Sequence, residues 1–170
     1  MAVSFNFVTE RIAVGGGISS KADVDQIVVA GITHVIDMRA EFDDETLNDS
    51  RITILWLPQV DDGAMRPLGQ YRKGIQFAFP ALSLPNTKIF PHCAAGLNRG
   101  PTMCYALLRA FGIPQSEAID RIRAVRPNAE LAFSTPPLTL CRRFACFAVC
   151  VVGGNAILGA EDARCGFAKH

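Results

Sequence analysis

The stretch TKIFPHCAAGLNRGPTMCYALLRAFG, residues 87–112, contains a strand, a loop and a helix in sequence order. The short, mostly apolar segment 87–92 predicts a buried strand. The apolar run from Pro101 to Phe111 predicts a helix with Gly112 as its cap. A helix that follows the carboxyl end of a buried strand is typical of α/β domains, in which ligands bind at that edge of the sheet.

The rest of the chain repeats this alternation of short apolar strands and helices. Further strands are predicted at 32–39, at 52–58 and, as one or two short pieces, within FNFVTERIAVGG near the N terminus. Helices are predicted between Ser20 and Gly31, from Pro67 to Phe79, at 116–126 and from near Pro137. We expect a single α/β domain whose central, mostly parallel sheet of four to five strands has helices on both faces.

One stretch of the chain is strongly acidic. The sequence EFDDETLNDS, residues 41–50, follows the strand 32–39 and is called the acidic segment below. Its polarity predicts a loop or an exposed helical turn.

Length and charge restrict the classes of function. A chain of 170 residues accommodates one domain of ordinary size. The net charge is +1 and no lysine or arginine block occurs, so neither nucleic acid nor a membrane surface is an expected partner. A phosphate group held locally by one or two arginines remains compatible with this charge.

Six cysteines, at positions 93, 104, 141, 146, 150 and 165, lack the regular spacing of a secreted disulfide scaffold. The N-terminal MAVSFNFVTE does not read as a secretion signal, which favours a reducing, cytoplasmic location. No cysteine and histidine set has zinc spacing, so no metal is expected. The uncharged run 144–160 is interrupted by Gly153 and Gly154, and it predicts a core helix and turn rather than a membrane anchor.

The loop between the quoted strand and helix, residues 93–99, is called the cysteine loop below. Because Ala94, Ala95 and Gly96 are small, its backbone can curl so that several N–H groups point inward and bind an anion. The start of the following helix adds a partial positive charge. Arg99 can bind two phosphate oxygens at once, so the loop predicts a phosphate site.

The same positive field favours the thiolate form of Cys93. A thiolate beneath a bound phosphorus atom is the arrangement needed for covalent catalysis through a phosphocysteine. His92 is expected to point to the opposite face of the strand, where it hydrogen-bonds backbone and supports the loop.

A phosphoryl transfer of this kind also needs an acid for the leaving oxygen. Asp61 and Asp62 follow the strand 52–58 at its carboxyl end, the edge at which Cys93 also lies. Either carboxyl group can supply that proton and later accept one from water.

His92-Cys93-x5-Arg99 with Gly96 resembles the signature of cysteine-dependent protein phosphatases, and residues 10–145 resemble a compact dual-specificity phosphatase domain. The segments AVGGGISS, GITHVIDMRAE, LPQVDD and AIDRIRAVRP resemble other parts of that domain. The resemblance implies a tyrosine-phosphatase-like fold and catalysis without a metal or other cofactor. It places the domain within residues 1–150 and leaves a tail, 151–170, of no assigned role.

Position by position, the resemblance makes Cys93 the nucleophile, Arg99 the phosphate-binding arginine and Asp61 the general acid, with Asp62 as the alternative. The phosphate-binding backbone would be that of Ala94, Ala95, Gly96, Leu97, Asn98 and Arg99. The substrate implied is a phosphorylated protein or another phosphate monoester, and an RNA 5′ phosphate stays open. Sulfur or arsenate chemistry is a weaker alternative, because such loops usually lack this arginine and helix start or lie near the N terminus.

One position departs from the family pattern. Gly100 stands where most members have a serine or threonine whose hydroxyl assists the second step, and the hydroxyl of Thr102 lies two residues further on. A phosphate-binding module with slow or absent turnover is therefore the alternative function. If the missing hydroxyl limits turnover, Gly100→Ser is expected to speed it. For Cys104, core packing is favoured over a disulfide with oxidised Cys93. For Arg126, helix capping is favoured over a place near the cysteine loop.

Overall fold

The computed structural model describes residues 3–47, 49–62 and 67–131. The strands are β1 (Phe5–Phe7), β2 (Ala13–Gly15), β3 (His34–Arg39), β4 (Thr53–Gln59) and β5 (Ile89–His92). The helices are α1 (Lys21–Val29), α2 (Leu68–Ser83), α3 (Arg99–Ala110) and α4 (Gln115–Val125), with a 3-10 helix at Asp44–Leu47.

The five strands form one sheet in the order β1-β2-β5-β3-β4. The pairs β2–β5, β5–β3 and β3–β4 are parallel, and only β1 joins in antiparallel fashion. Strand β5 is central, so the cysteine loop at its carboxyl end lies between the ends of β2 and β3. This order brings segments that are distant in the sequence to one edge of the sheet.

Both faces of the sheet are covered by apolar side chains. The larger core packs α2, α3 and α4 against one face and includes Ile36, Ile75 and Leu107. The smaller core packs α1 against the other face and includes Val24, Ile27 and Phe90. The predicted α/β fold, with a mostly parallel sheet and helices on both faces, is confirmed.

Two helix boundaries differ from those predicted. Helix α3 begins at Arg99, two residues before Pro101, so the proline occupies the first turn, where its missing N–H leaves no bond unmade. Helix α2 continues through Pro80 to Ser83, although a proline usually ends a helix. Burial of Ala81 against the larger core accompanies this extension.

Some predictions fall outside the described residues. They are the apolar run 144–160, the helix from near Pro137 and the tail 151–170. Among the helices that the structure describes, none combines the length and apolarity that a membrane crossing needs.

Candidate active site

The cysteine loop leaves its N–H groups available to a ligand. Cys93 directly follows β5 and is only 1% exposed. The carbonyl of Ala94 accepts from the Gly17 N–H at 3.0 Å, and that of Leu97 accepts from the Glu130 N–H at 2.8 Å. With those carbonyls bonded outward, the N–H groups of residues 94–97 donate to no backbone carbonyl in the described part of the chain. They are free to bind oxyanion oxygens.

Gly96 makes this curl possible. Its φ of +71° is one that side-chain-bearing residues rarely adopt, and a Cβ there would lie 2.5 Å from the carbonyl carbon of Gly15. Ala94 and Ala95 are exposed beside it, whereas Gly96 itself is buried. The loop therefore packs backbone to backbone against the end of β2.

The guanidinium of Arg99 is held over this region and its side chain is 3% exposed. Its Nη1 and Nη2 donate to the two carboxylate oxygens of Glu41 at 2.8 and 2.7 Å, and Nη1 also donates to the carbonyl of Gln59 at 2.8 Å. Its buried Nε makes no aligned hydrogen bond in the described structure. A phosphate oxygen is a fitting partner for that donor.

Glu41 is a site residue that sequence reasoning missed. Hydrogen bonds from Arg99 lower its pKa to about 2, and the same bonds raise the pKa of Arg99. The acidic segment was interpreted as a polar loop, and the only sequence signal was its place directly after a buried strand. An acid that follows a strand at the ligand-binding edge is a candidate partner for an arginine in the neighbouring loop.

Asp61 lies beside the arginine. Its Oδ1 accepts from the Asn98 side-chain amide at 2.9 Å, and its Oδ2 is 3.2 Å from the Arg99 Nε. The carboxylate is 42% exposed, so it faces the mouth of the site. Asp62 is exposed. The structure therefore joins Asp61 to Asn98 and Arg99 at the carboxyl edge of the sheet.

The predicted partner of His92 is wrong. Instead of bonding loop backbone, its Nε2 pairs with Oδ2 of Asp44 at 2.7 Å, in full burial. Asp44 belongs to the acidic segment, which the sequence alone placed at the surface. The His92 ring stacks on Phe90 of the smaller core, whereas Cys93 belongs to the larger core, so the two side chains lie on opposite faces of the sheet, as the alternation of a strand requires.

Gly100 sits where no larger residue fits. A Cβ there would be 2.8 Å from the His92 Cα and 3.0 Å from the Cys93 nitrogen. Since both are backbone atoms, Gly100→Ser requires the end of β5 or the first turn of α3 to shift, and its expected effect on turnover stays a prediction. The Thr102 hydroxyl is also engaged, because it donates to the Asn98 carbonyl at 2.8 Å.

Arg126 is the C-cap residue of α4, as the capping interpretation expected, since its N–H donates to the Ile122 carbonyl at 2.8 Å; its side chain extends further. Its Nη2 donates to the Ser4 carbonyl and lies 3.5 Å from that of Val14, which places the guanidinium against β1 and β2. Burial lowers its pKa, and the negative charge of a Cys93 thiolate opposes that change. Arg126 is thus a second cation whose charge interacts with Cys93.

Cys104 behaves as a core residue. It is fully buried in the larger core, and desolvation raises the pKa of its thiol well above the ordinary range. A thiol in that state is a poor nucleophile. The two buried cysteines described therefore differ in surroundings, because only Cys93 has an arginine pair and open N–H donors near it.

Comparison with known proteins agrees with this geometry. Residues 17–134 match the family model described as dual specificity phosphatase, catalytic domain. Structures of similar fold include DUSP15, with 19% sequence identity, a TM-score of 0.71 and coverage of 88% of this chain and 97% of that chain.

Two further structures share the fold. PTPMT1 in complex with PI(5)P is 21% identical, with a TM-score of 0.66 and coverage of 86% of this chain and 96% of that one. Human DUSP28 is 18% identical, with a TM-score of 0.65 and coverage of 83% and 92%.

Proposed function

The chain belongs to the family of dual specificity phosphatase catalytic domains, and from that premise we propose that it hydrolyses phosphate monoesters through a phosphocysteine on Cys93. The observation that carries the proposal is the convergence of three groups at one sheet edge. These are the open N–H groups of residues 94–97, the Arg99 Nε and the Asp61 carboxyl group.

In the first step the Cys93 thiolate attacks phosphorus. The S–P bond forms while the bond from phosphorus to the ester oxygen breaks, and Asp61 gives its proton to that leaving oxygen. The phosphoryl oxygens receive hydrogen bonds from the cysteine loop and from Arg99 Nε. An ionised Asp61 would repel a phosphate dianion that binds at Arg99, whereas a protonated Asp61 would not. The protonated carboxyl group therefore both permits substrate binding and donates the proton to the leaving oxygen.

In the second step water cleaves the phosphocysteine. Asp61, now ionised, takes a proton from the attacking water, and the S–P bond breaks. This regenerates the Cys93 thiolate and releases inorganic phosphate. Because Gly100 brings no hydroxyl and that of Thr102 is bonded to a carbonyl, we propose that this step is slower than the first. Family membership supports a phosphatase rather than the binding module.

The mouth of the site bears on the substrate. Ala94 and Ala95 are exposed and uncharged, while the carboxylates of Glu41 and Asp61 flank Arg99 and are about half exposed. A ligand with several phosphates is repelled by such a mouth. We therefore propose singly phosphorylated serine, threonine or tyrosine residues of proteins as substrates.

The decisive experiment uses a small aryl phosphate with EDTA present. We expect turnover by the wild-type protein, loss of activity in Cys93→Ser, and retention of activity in Cys104→Ser, which serves as the matched thiol control. A burst of phenol release equal to the enzyme concentration, followed by slower turnover, is expected from the slow second step. Full activity in Cys93→Ser would falsify the proposal.

The substrate class is tested separately. Relative kcat/KM is measured for singly phosphorylated peptides, with lysine or glutamate neighbours, and for PI(5)P, the ligand in the PTPMT1 complex. We expect lysine-flanked peptides to be the best substrates. A clear preference for PI(5)P or for glutamate-flanked peptides contradicts the proposed substrate class but not the reaction.

A further inference from the structure

Four charged or ionisable side chains form a buried cluster beneath the cysteine loop. Asp37, Arg39, Asp44 and His92 are each 5% exposed or less, and we call them the buried quartet. Since burying charged groups is costly unless they are paired, their presence so near the site needs a reason.

Asp44 is the centre of this quartet. Its Oδ2 pairs with the His92 Nε2 at 2.7 Å, its Oδ1 accepts from the Arg39 Nη2, and its N–H donates to the Asp37 Oδ2 at 3.2 Å. Arg39 is itself held by the Ile18 carbonyl at 2.9 Å. One residue of the acidic segment is therefore bound to β3 and to β5 at the same time.

The first path from Asp44 to the site runs through His92. The main chain of His92 is in close contact with Gly100, where a Cβ would already overlap the His92 Cα and carbonyl carbon. His92 also precedes Cys93 directly. A shift of the His92 backbone would therefore displace both Cys93 and the first turn of α3, which contains Arg99.

The second path runs along the acidic segment. Glu41 precedes the 3-10 helix Asp44–Leu47 and binds the Arg99 guanidinium through both carboxylate oxygens. Asp44 anchors that helix from below. The two paths meet at Arg99, so the contacts close into a ring that passes through Asp44, His92, Gly100, Arg99 and Glu41.

We propose that Asp44 is a positioning residue for the phosphatase reaction, because it holds the cysteine loop and the acidic segment in register. This inference rests on the proposed function of the cysteine loop. Asp44 touches neither substrate nor the reacting atoms. It acts on the orientation of Cys93 and Arg99, on which in-line attack at phosphorus depends.

The quartet could also be considered as a metal site, since ligand atoms of Asp37, Asp44 and His92 lie within 4.8 Å of one another. Arg39 argues against this reading, because its guanidinium bonds to both carboxylates and supplies the cation they need. Burial raises the pKa of Asp37, an effect opposed by the positive charges of His92 and Arg39. Arg39 thus supplies the positive charge that a metal ion would bring to these two carboxylates.

The test compares Asp44→Ala, Asp44→Asn and the control Glu45→Gln, which lies exposed on the same 3-10 helix. Asn retains one oxygen, which can replace either the bond to His92 or the bond to Arg39. The charges of Asp37 and Arg39 still balance each other in this variant. We expect orthovanadate affinity and kcat/KM on an aryl phosphate to fall about tenfold in the Asn variant and about a hundredfold in the Ala variant.

Stability is controlled with Ile27→Ala, a core variant on α1 remote from the cysteine loop. All proteins are measured at the same interval below their own Tm. Vanadate affinity within twofold of wild type in both Asp44 variants overturns the inference, and so does an equal loss in Ile27→Ala. If Asp44→Ala does not fold, the Asn variant alone decides by the same criterion.

The two proposals fail differently. Wild-type protein that neither binds vanadate nor turns over an aryl phosphate overturns the proposed function and this inference together. Active wild-type protein with unaffected Asp44 variants overturns the role of Asp44 alone. A graded loss in the order wild type, Asn, Ala supports it, since a positioning contact is weakened in steps.

Discussion

The cysteine loop and the acidic segment follow neighbouring parallel strands, β5 and β3, and reach the same edge of the sheet. The cysteine loop consists mainly of small residues that expose N–H donors, and its chemistry can be predicted from a short stretch of sequence. The acidic segment consists of carboxylates and resembles an ordinary solvated loop, yet it supplies Glu41 and Asp44. The contrast teaches that sheet position, rather than local composition, made the acidic segment part of the site.

Replacing the arginine should have the largest effect on the cysteine loop. In the wild type, the planar guanidinium of Arg99 binds Glu41 through Nη1 and Nη2 and keeps Nε for a phosphate oxygen. Lysine has no planar donor set, so Arg99→Lys cannot make both interactions. We expect kcat/KM on an aryl phosphate to fall about a thousandfold. Arg121→Lys on the exposed face of α4 is the matched control, with unchanged activity. Comparable activity in both variants contradicts the role of Arg99.

The tight packing of the cysteine loop can be tested at Gly100. A Cβ at that position meets the backbone of His92 and Cys93, so we expect Gly100→Ala to destabilise the fold by about 1–3 kcal/mol in urea unfolding. Gly69→Ala is the control, because nothing lies within 4 Å of its Cβ position, and it should stabilise α2 by about 0.5 kcal/mol. Equal effects of the two substitutions would show that the close approach at Gly100 is not present in solution.

A milder loss is expected in the acidic segment. Glu41→Gln keeps the shape of the side chain but removes the charge that orients Arg99. We expect kcat/KM to fall about tenfold, mainly through a weaker affinity for vanadate and substrate. Steady-state kinetics are measured for Glu41→Gln and for the control Glu45→Gln, which removes one negative charge from the same segment without a contact to Arg99. If kcat/KM of Glu41→Gln equals that of the wild type, the cysteine loop does not depend on Glu41 to orient Arg99.

The smallest effect concerns pH. Arg99 lowers the pKa of Glu41 from 4.5 to about 2, so folded protein binds that proton more weakly than the unfolded chain does. The pair therefore stabilises the fold fully above about pH 4.5, and its contribution is lost as pH falls towards about 2. Since the carboxylate is half exposed, we expect less than about 1 kcal/mol.

The measurement is the difference in Tm between wild type and Glu41→Gln across this pH range. The difference should be largest near neutral pH and should shrink between pH 4.5 and 2. A difference that grows as the pH falls has the wrong sign for a salt bridge to Arg99.

Elements with local signals can be predicted from the amino-acid sequence. Ser20 caps α1 through the Asp23 N–H, and Gly31 ends that segment with a φ of +83°. The unit formed by β5, the cysteine loop and α3 was predicted for the same reason, because its strand, its small residues and its helix are contiguous. The candidate roles of Cys93 and Arg99 come from that unit alone.

The identity of the carboxylates around the cysteine loop depends instead on how the strands are arranged in the sheet. Glu41 and Arg99 are 58 residues apart in the chain, and Asp44 and His92 are 48 residues apart. Their pairing depends on the strand order β5-β3, which local periodicity does not encode. The start of α3 at Arg99 likewise brings Gly100 into close contact with the backbone of His92 and Cys93, a contact that the local sequence pattern does not specify.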